Sequence, residues 1–130
     1  MQEAPPITIL AVDDEPGVLA LVRRCLHDDA RVTLNEASSG SDALEQVANR
    51  PIPDLLITDL RMPEMTGDEL ARQLRTREPK LRVLYLTSHA DRLFEVKPQL
   101  WTDEAYLDKP FTRDGLREAI ALLLFNRTAL

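Results

Sequence analysis

Leu55, Leu56 and Ile57 form an apolar run with no polar residue at either alternate position. An extended chain of that kind needs cover on both faces, so it belongs inside a sheet with layers above and below. The run ends on one acid, Asp59, and Pro63 and Gly67 then mark a loop leading into a helix. In an open parallel sheet the reactive crevice lies outside the carboxyl ends of the strands. Asp59 falls there, and the stretch 54–67 becomes the reference for every other candidate.

Similar runs recur along the chain. Residues 7–12 read as a buried strand closed by three acids, Asp13, Asp14 and Glu15. Pro16 suits the first turn of a helix, where its missing N–H has no partner to lose. Val18, Val22, Cys25 and Leu26 then make one helical stripe. Residues 31–36 alternate polar with apolar, the pattern of a half-exposed strand at a sheet edge. Ser38, Ser39 and Gly40 read as a turn and cap before a short helix with Leu44, Val47 and Ala48 on its apolar face.

After Gly67 a third helix is expected to turn Leu70, Ala71 and Leu74 inward and Arg72, Arg75 and Arg77 outward as a solvated face. Residues 83–86 are the next buried strand, with Thr87, Ser88 and His89 at its end. Asp91 is placed to cap a fourth helix over 92–96, which Pro98 would clip short. Residues 105–107 form a short last strand ending in Asp108, Lys109, Pro110 and Phe111. Thr112 caps a final helix with Leu116, Ala119, Ile120, Leu123 and Leu124 as its core face.

Five strands alternating with five helices predict an α/β doubly wound fold, a parallel sheet covered on both faces and joined by right-handed crossovers. With the edge-like strand second in sequence, the flavodoxin-like order 2-1-3-4-5 follows. The expected organisation is a flexible N-terminal segment over 1–6, one domain over 7–125 and a tail over 126–130.

A net charge of −6 leaves no basic excess for neutralising nucleic-acid phosphates. One cysteine, Cys25, excludes an internal disulfide and a cysteine-based zinc site, and packing within the first helix is its expected use. No apolar run approaches the roughly 20 residues that span a membrane, and residues 1–6 carry no signal-peptide pattern. The chain is expected to be cytoplasmic.

In the proposed order the carboxyl ends of strands 1, 3, 4 and 5 are neighbours. They carry Asp13 and Asp14, Asp59, Thr87 and Lys109. Three carboxylates in one crevice repel one another and call for a cation. A hard divalent ion with oxygen ligands, above all Mg²⁺, accepts one or two carboxylates and leaves positions for phosphoryl oxygens. Asp59 is then a carboxylate nucleophile. The metal and the Lys109 ammonium neutralise charge on the transferring group, and Thr87 can donate to a phosphoryl oxygen.

Residues 12–15, residues 58–63 with Gly67, the Thr87–Ser88 strand end and residues 106–111 together resemble the receiver domains of two-component response regulators. The resemblance implies that Asp59 takes phosphate from the phosphohistidine of a sensor histidine kinase or phosphotransfer domain. It implies Mg²⁺ ligation by Asp14 and Asp59, by Asp13 directly or through water, and by the backbone carbonyl of Arg61. Thr87 and Lys109 would contact the phosphoryl group. Tyr106 matches the aromatic that moves inward as the hydroxyl residue is drawn toward phosphate, and the Lys109–Pro110 bond would be cis.

The switching surface implied is the fourth helix, fifth strand and fifth helix. Output would run through a downstream protein target, or through an effector or kinase domain fused in a longer chain, with a homodimer left open. Catalysis would be limited to the chain's own phosphorylation and dephosphorylation.

This chain departs from the family where Asp103, Glu104 and Ala105 replace a common Gly-Ala pair, and where Pro98 and Trp101 interrupt the fourth helix. A short or irregular helix is expected there, with Trp101 over apolar surface. His89 and Arg61 flank the site and are candidates for tuning phosphate lifetime or for plain loop roles. A phosphatase of the haloacid dehalogenase type would need a second acid two residues after Asp59, where Arg61 stands. A non-phosphorylated interaction domain would not need Asp13, Asp14, Asp59, Thr87 and Lys109 intact. A flavin site would need a Ser/Thr/Gly-rich loop after the first strand, and there is none.

Overall fold

The computed structural model describes residues 6–88 and 103–125. The β-branched and leucine-rich runs form five strands: β1 (Ile7–Val12), β2 (Val32–Ala37), β3 (Leu55–Asp59), β4 (Arg82–Thr87) and β5 (Glu104–Asp108). They build one parallel sheet in the order β2-β1-β3-β4-β5. Between and after them lie α1 (Pro16–Leu26), α2 (Gly40–Val47), α3 (Gly67–Arg75) and α4 (Arg113–Leu124), the last being the fifth helix expected from sequence. The fold is the flavodoxin-like one, with β2 at an edge as its alternation predicts.

Alternate residues of each central strand feed two separate cores, the direct result of the period of two in a strand. Leu10, Val12, Leu56, Val83 and Tyr85 pack against Ala43 and Val47 of α2 and Leu70, Ala71 and Leu74 of α3. Ile9, Ala11, Leu55, Ile57, Leu84 and Leu86 pack against Leu19, Val22, Cys25 and Leu26 of α1 and Leu116, Ile120 and Leu123 of α4. Cys25 is thus a packing residue. β3 is buried along its whole length, Asp59 included.

Helix starts follow local chemistry. The hydroxyls of Ser39, Thr66 and Thr112 accept hydrogen bonds from the N–H groups of Asp42, Glu69 and Gly115, capping α2, α3 and α4. Gly67 opens α3 flush against the end of β3. A Cβ there would lie 2.2 Å from the Asp59 carbonyl oxygen, so only glycine lets α3 begin where it does.

Two expectations are corrected. Ala48 is the exposed C-cap of α2, and Ala43 takes the buried position instead. Of the three arginines expected to face outward, Arg72 is solvated, with its side chain 66% exposed, and Arg77, just past the end of α3, is exposed as well. Arg75 turns inward, donating to the Leu81 carbonyl and to Glu104 Oε2 at 2.8 Å. Arg77 donates to the carbonyls of Val47 and Arg50, both at 2.7 Å. A long guanidinium at the border of an apolar stripe can satisfy buried carbonyls that the stripe itself does not reveal. The expected fourth helix, its Asp91 cap, His89, Pro98, Trp101 and the two terminal segments lie outside the described residues.

Candidate functional site

The register of the sheet assembles the site. Val12 pairs with Thr58, so Asp13 and Asp59, one residue beyond each, stand side by side where β1 and β3 end. Asp59 pairs with Leu86, which sets Thr87 one step beyond on β4. Thr87 pairs with Asp108, which sets Lys109 one step beyond β5. The Lys109 N–H donates to the Thr87 carbonyl at 3.0 Å, tying the last two together through the backbone. Parallel strands of nearly equal length make this convergence, since each chain turns off the sheet at the same edge.

Asp13, Asp14 and Asp59 each offer a carboxylate oxygen, and these lie within 4.8 Å of one another. Asp13 and Asp59 are buried and Asp14 is exposed, so the cluster opens to solvent on one side. The Lys109 ammonium reaches into it, 2.9 Å from Asp13 Oδ2, 3.3 Å from Glu15 Oε1 and 3.5 Å from Asp59 Oδ1. The Glu15 N–H donates to Asp13 Oδ1 at 2.9 Å and fixes that carboxylate. Asp14, Glu15, Asp59, Arg61, Ser88 and Lys109 line a cleft of about 240 Å³ over the cluster. Lys109–Pro110 is cis.

Burial pushes the Asp59 carboxyl up to about 6; the Lys109 charge pulls it down and the Asp13 charge adds to the rise. Asp13 is also raised, burial outweighing its hydrogen bonds from the Glu15 N–H and from Lys109. Burial alone would lower Lys109, yet its hydrogen bond to Asp13 and the charges of Asp59 and Asp13 hold it above its ordinary value. One ammonium does not neutralise two buried carboxylates plus a third at the rim.

The donor set is therefore all oxygen, mostly anionic and under-compensated, and it suits a hard divalent cation such as Mg²⁺. Among the described residues the expected site residues Asp13, Asp14, Asp59 and Lys109 come together in direct contact range, and Arg61 lines the same cleft. Thr87 is 1% exposed at the end of β4. Tyr106 is 38% exposed on β5, two residues from the strand end.

Two features were not anticipated. Glu15 is a partner of Lys109 and not merely a third acid; the signal was a glutamate directly before Pro16, at a position that favours shorter capping residues. Glu104 is buried, paired with Arg75 and 3.3 Å from the Tyr85 hydroxyl.

The raised Asp59 fixes a sign for metal-free stability. Its folded carboxyl binds a proton more tightly than the unfolded one, so its contribution is fully present below about pH 4 and lost as pH rises through about 6. Asp59→Asn removes that loss. In a chelator, the variant is expected to exceed the wild type by about 2–3 kcal/mol at neutral pH, and the two should converge near pH 4. Urea melts across that range read the difference; a variant less stable at neutral pH would show the site is not charge-strained.

Comparison with known proteins gives a consistent result. The model of the response regulator receiver domain family matches residues 9–121. The sensor histidine kinase TmoS of Ectopseudomonas mendocina is 35% identical over 123 residues, 93% of this chain and 12% of that protein. The DNA-binding transcriptional regulator NtrC of Escherichia coli K12 is 35% identical over 115 residues, 88% of this chain and 24% of that protein. This chain thus spans a quarter or less of these two relatives. Among solved structures, the response regulator TrrA of Thermotoga maritima in complex with Mg(2+)-BeF superposes with a TM-score of 0.76 at 29% identity. That match covers 91% of this chain and 99% of the other.

Proposed function

Since the chain belongs to the response regulator receiver domain family of two-component systems, we propose that Asp59 is its phosphoacceptor and that residues 7–125 work as one phosphorylation-controlled switch. The observation that carries this reading is the Asp13–Asp14–Asp59 cluster with the Lys109 ammonium inserted into it. The family's Mg²⁺ would be held by Asp14 and Asp59, with Asp13 and the Arg61 carbonyl completing the protein's share. Bound there, it offsets the carboxylates and the charge on the transferring phosphoryl group.

The rest is done by this chain's own groups. An Asp59 carboxylate oxygen attacks phosphorus, the Oδ–P bond forms, and the N–P bond of the donor phosphohistidine breaks with its electron pair returning to the imidazole. Lys109, already within 3.5 Å of Asp59 Oδ1, is positioned to take a phosphoryl oxygen. Thr87 supplies the hydroxyl on the neighbouring strand. A phosphoryl group brings about −1.5 to −2 charges, and it shifts a two-state domain only through contacts that differ between the states. Thr87 and Tyr106 are the residues assigned to that difference. The surface assigned to change is β5 with α4, together with the expected fourth helix, which lies outside the described residues.

The donor is a sensor histidine kinase or a phosphotransfer domain. Output passes by protein contact or through a module in a longer chain, as the lengths of TmoS and NtrC suggest. Among the described residues no helix is long and apolar enough to cross a membrane. A phosphatase of the haloacid dehalogenase type is disfavoured because Arg61 stands where its general acid would be.

Incubation with Mg²⁺ and acetyl phosphate, followed by intact-mass measurement, tests the reading. One phosphoryl group per chain, absent when a chelator is added, is the expected result. Continuous turnover of phosphate monoesters without a stable adduct would favour the phosphatase.

A further inference from the structure

Glu15 holds a position that the carboxylate cluster does not explain. It is the N-cap of α1, yet its side chain makes no capping hydrogen bond. The other described helices are each capped by a serine or threonine hydroxyl. Glu15 forgoes that role and reaches Lys109 Nζ at 3.3 Å, 94 residues away in sequence.

An ammonium has three N–H bonds. Lys109 donates to Asp13 at 2.9 Å and to Glu15 at 3.3 Å, and its nitrogen lies 3.5 Å from Asp59 Oδ1 as an ion pair. The ammonium is therefore shared among three carboxylates, and an arriving phosphoryl oxygen must compete with them for it. Asp13 has a side chain 1% exposed and is held by the Glu15 N–H, so it is costly to move. Asp59 is itself the acceptor. Glu15 has a side chain 64% exposed and returns to water at least cost.

We propose that Glu15 is a displaceable counter-ion of Lys109 that sets the rate of phosphoryl transfer to Asp59. The proposal rests on the reading of Asp59 as acceptor. In the resting site Glu15 occupies the ammonium and presents a negative charge at the mouth of the cleft. On transfer from acetyl phosphate, the Asp59 Oδ–P bond forms as the donor's bridging P–O bond breaks, and acetate leaves with the electron pair. Lys109 then follows the phosphoryl oxygen and Glu15 swings out. Its return reclaims the ammonium and shortens the life of the aspartyl phosphate.

The test compares wild type, Glu15→Gln and Glu15→Asp by intact mass over time, with acetyl phosphate at saturating Mg²⁺. Glutamine keeps the length and removes the charge. Uptake is expected to be about twofold to fivefold faster, the scale of a solvent-exposed ion pair, and loss of the adduct slower. The gap should narrow as salt screens the charge, a readout that a change in helix capping alone would not move.

Aspartate keeps the charge but is one methylene too short for Lys109, and it caps α1. Its uptake should fall between the other two, with higher thermal stability. If the glutamine variant does not fold, the aspartate variant still decides, since uptake no faster than wild type would overturn the proposal. Wild-type rates in both variants, or slower uptake in Glu15→Gln, would overturn it too. No uptake by wild type would remove the Asp59 reading and this inference together. Normal wild-type uptake with unchanged variants would remove this inference alone.

Discussion

Asp59→Ala protein incubated with Mg²⁺ and acetyl phosphate should gain no phosphoryl group under conditions where the wild type is fully modified. The loss is expected to be complete because the proposed nucleophile itself is gone and its neighbours are not placed to replace it. Asp13 is turned onto Lys109 and the Glu15 N–H, with both carboxylate oxygens engaged. Asp14 is exposed at the rim. Thr58, next in sequence, is buried and donates its hydroxyl to the Asp59 carbonyl at 2.9 Å, so it is directed away from the cleft. Circular dichroism should show the variant folded, because the substitution removes a charge that burial disfavours. Wild-type uptake by this variant would place the acceptor elsewhere.

The second large effect belongs to Lys109. Its ammonium lies between Asp13 and Asp59, and its removal leaves buried carboxylates without their cation. Breaking such a pair costs on the order of 3–5 kcal/mol, so metal-free Lys109→Ala should melt well below the wild type at neutral pH. Mg²⁺ should recover more stability in the variant than in the wild type, since a ligand that binds only the folded state stabilises it by an amount that rises with the logarithm of its affinity. The rate of uptake from acetyl phosphate should fall about 10²-fold, the scale for losing one preorganised donor to a developing charge. Thermal melts with and without Mg²⁺, and uptake kinetics, read both. An unchanged uptake rate would show that Lys109 only balances charge in the resting site.

Most of this site was legible because its residues stand at the ends of strands. Buried parallel strands announce themselves as apolar runs, and the residue after each run must lie at one edge of the sheet. Asp13, Asp59, Thr87 and Lys109 could therefore be brought together without knowing a single distance. Helix faces set by apolar residues were legible for the same reason at Leu70, Ala71 and Leu74, while the α2 face was misread at Ala48, which falls at the helix end.

What escaped was the behaviour of long charged side chains. Arg75 and Arg77 sit on the polar side of the α3 stripe by spacing, yet their guanidinium groups reach carbonyls and an acid supplied by other elements. Glu104 could be flagged only as a departure from the family pattern. Its burial against Arg75 and Tyr85 depends on pairings 29 and 19 residues away. Glu15 escaped likewise, because its neighbours in sequence point to a cap and its partner in space is Lys109. The α3 cap also went unread, although Thr66 followed three residues later by Glu69 is a capping signal present in the sequence.

The most direct measurement is chemical mapping of the acceptor. Borohydride reduction of an acyl phosphate converts the modified aspartate to homoserine, and peptide mass mapping then reads the position. After incubation with Mg²⁺ and acetyl phosphate, homoserine at residue 59 and nowhere else is the predicted result. Homoserine at residue 13 or 14, or a phosphoryl group that survives on a hydroxyl side chain with residue 59 unmodified, would contradict it.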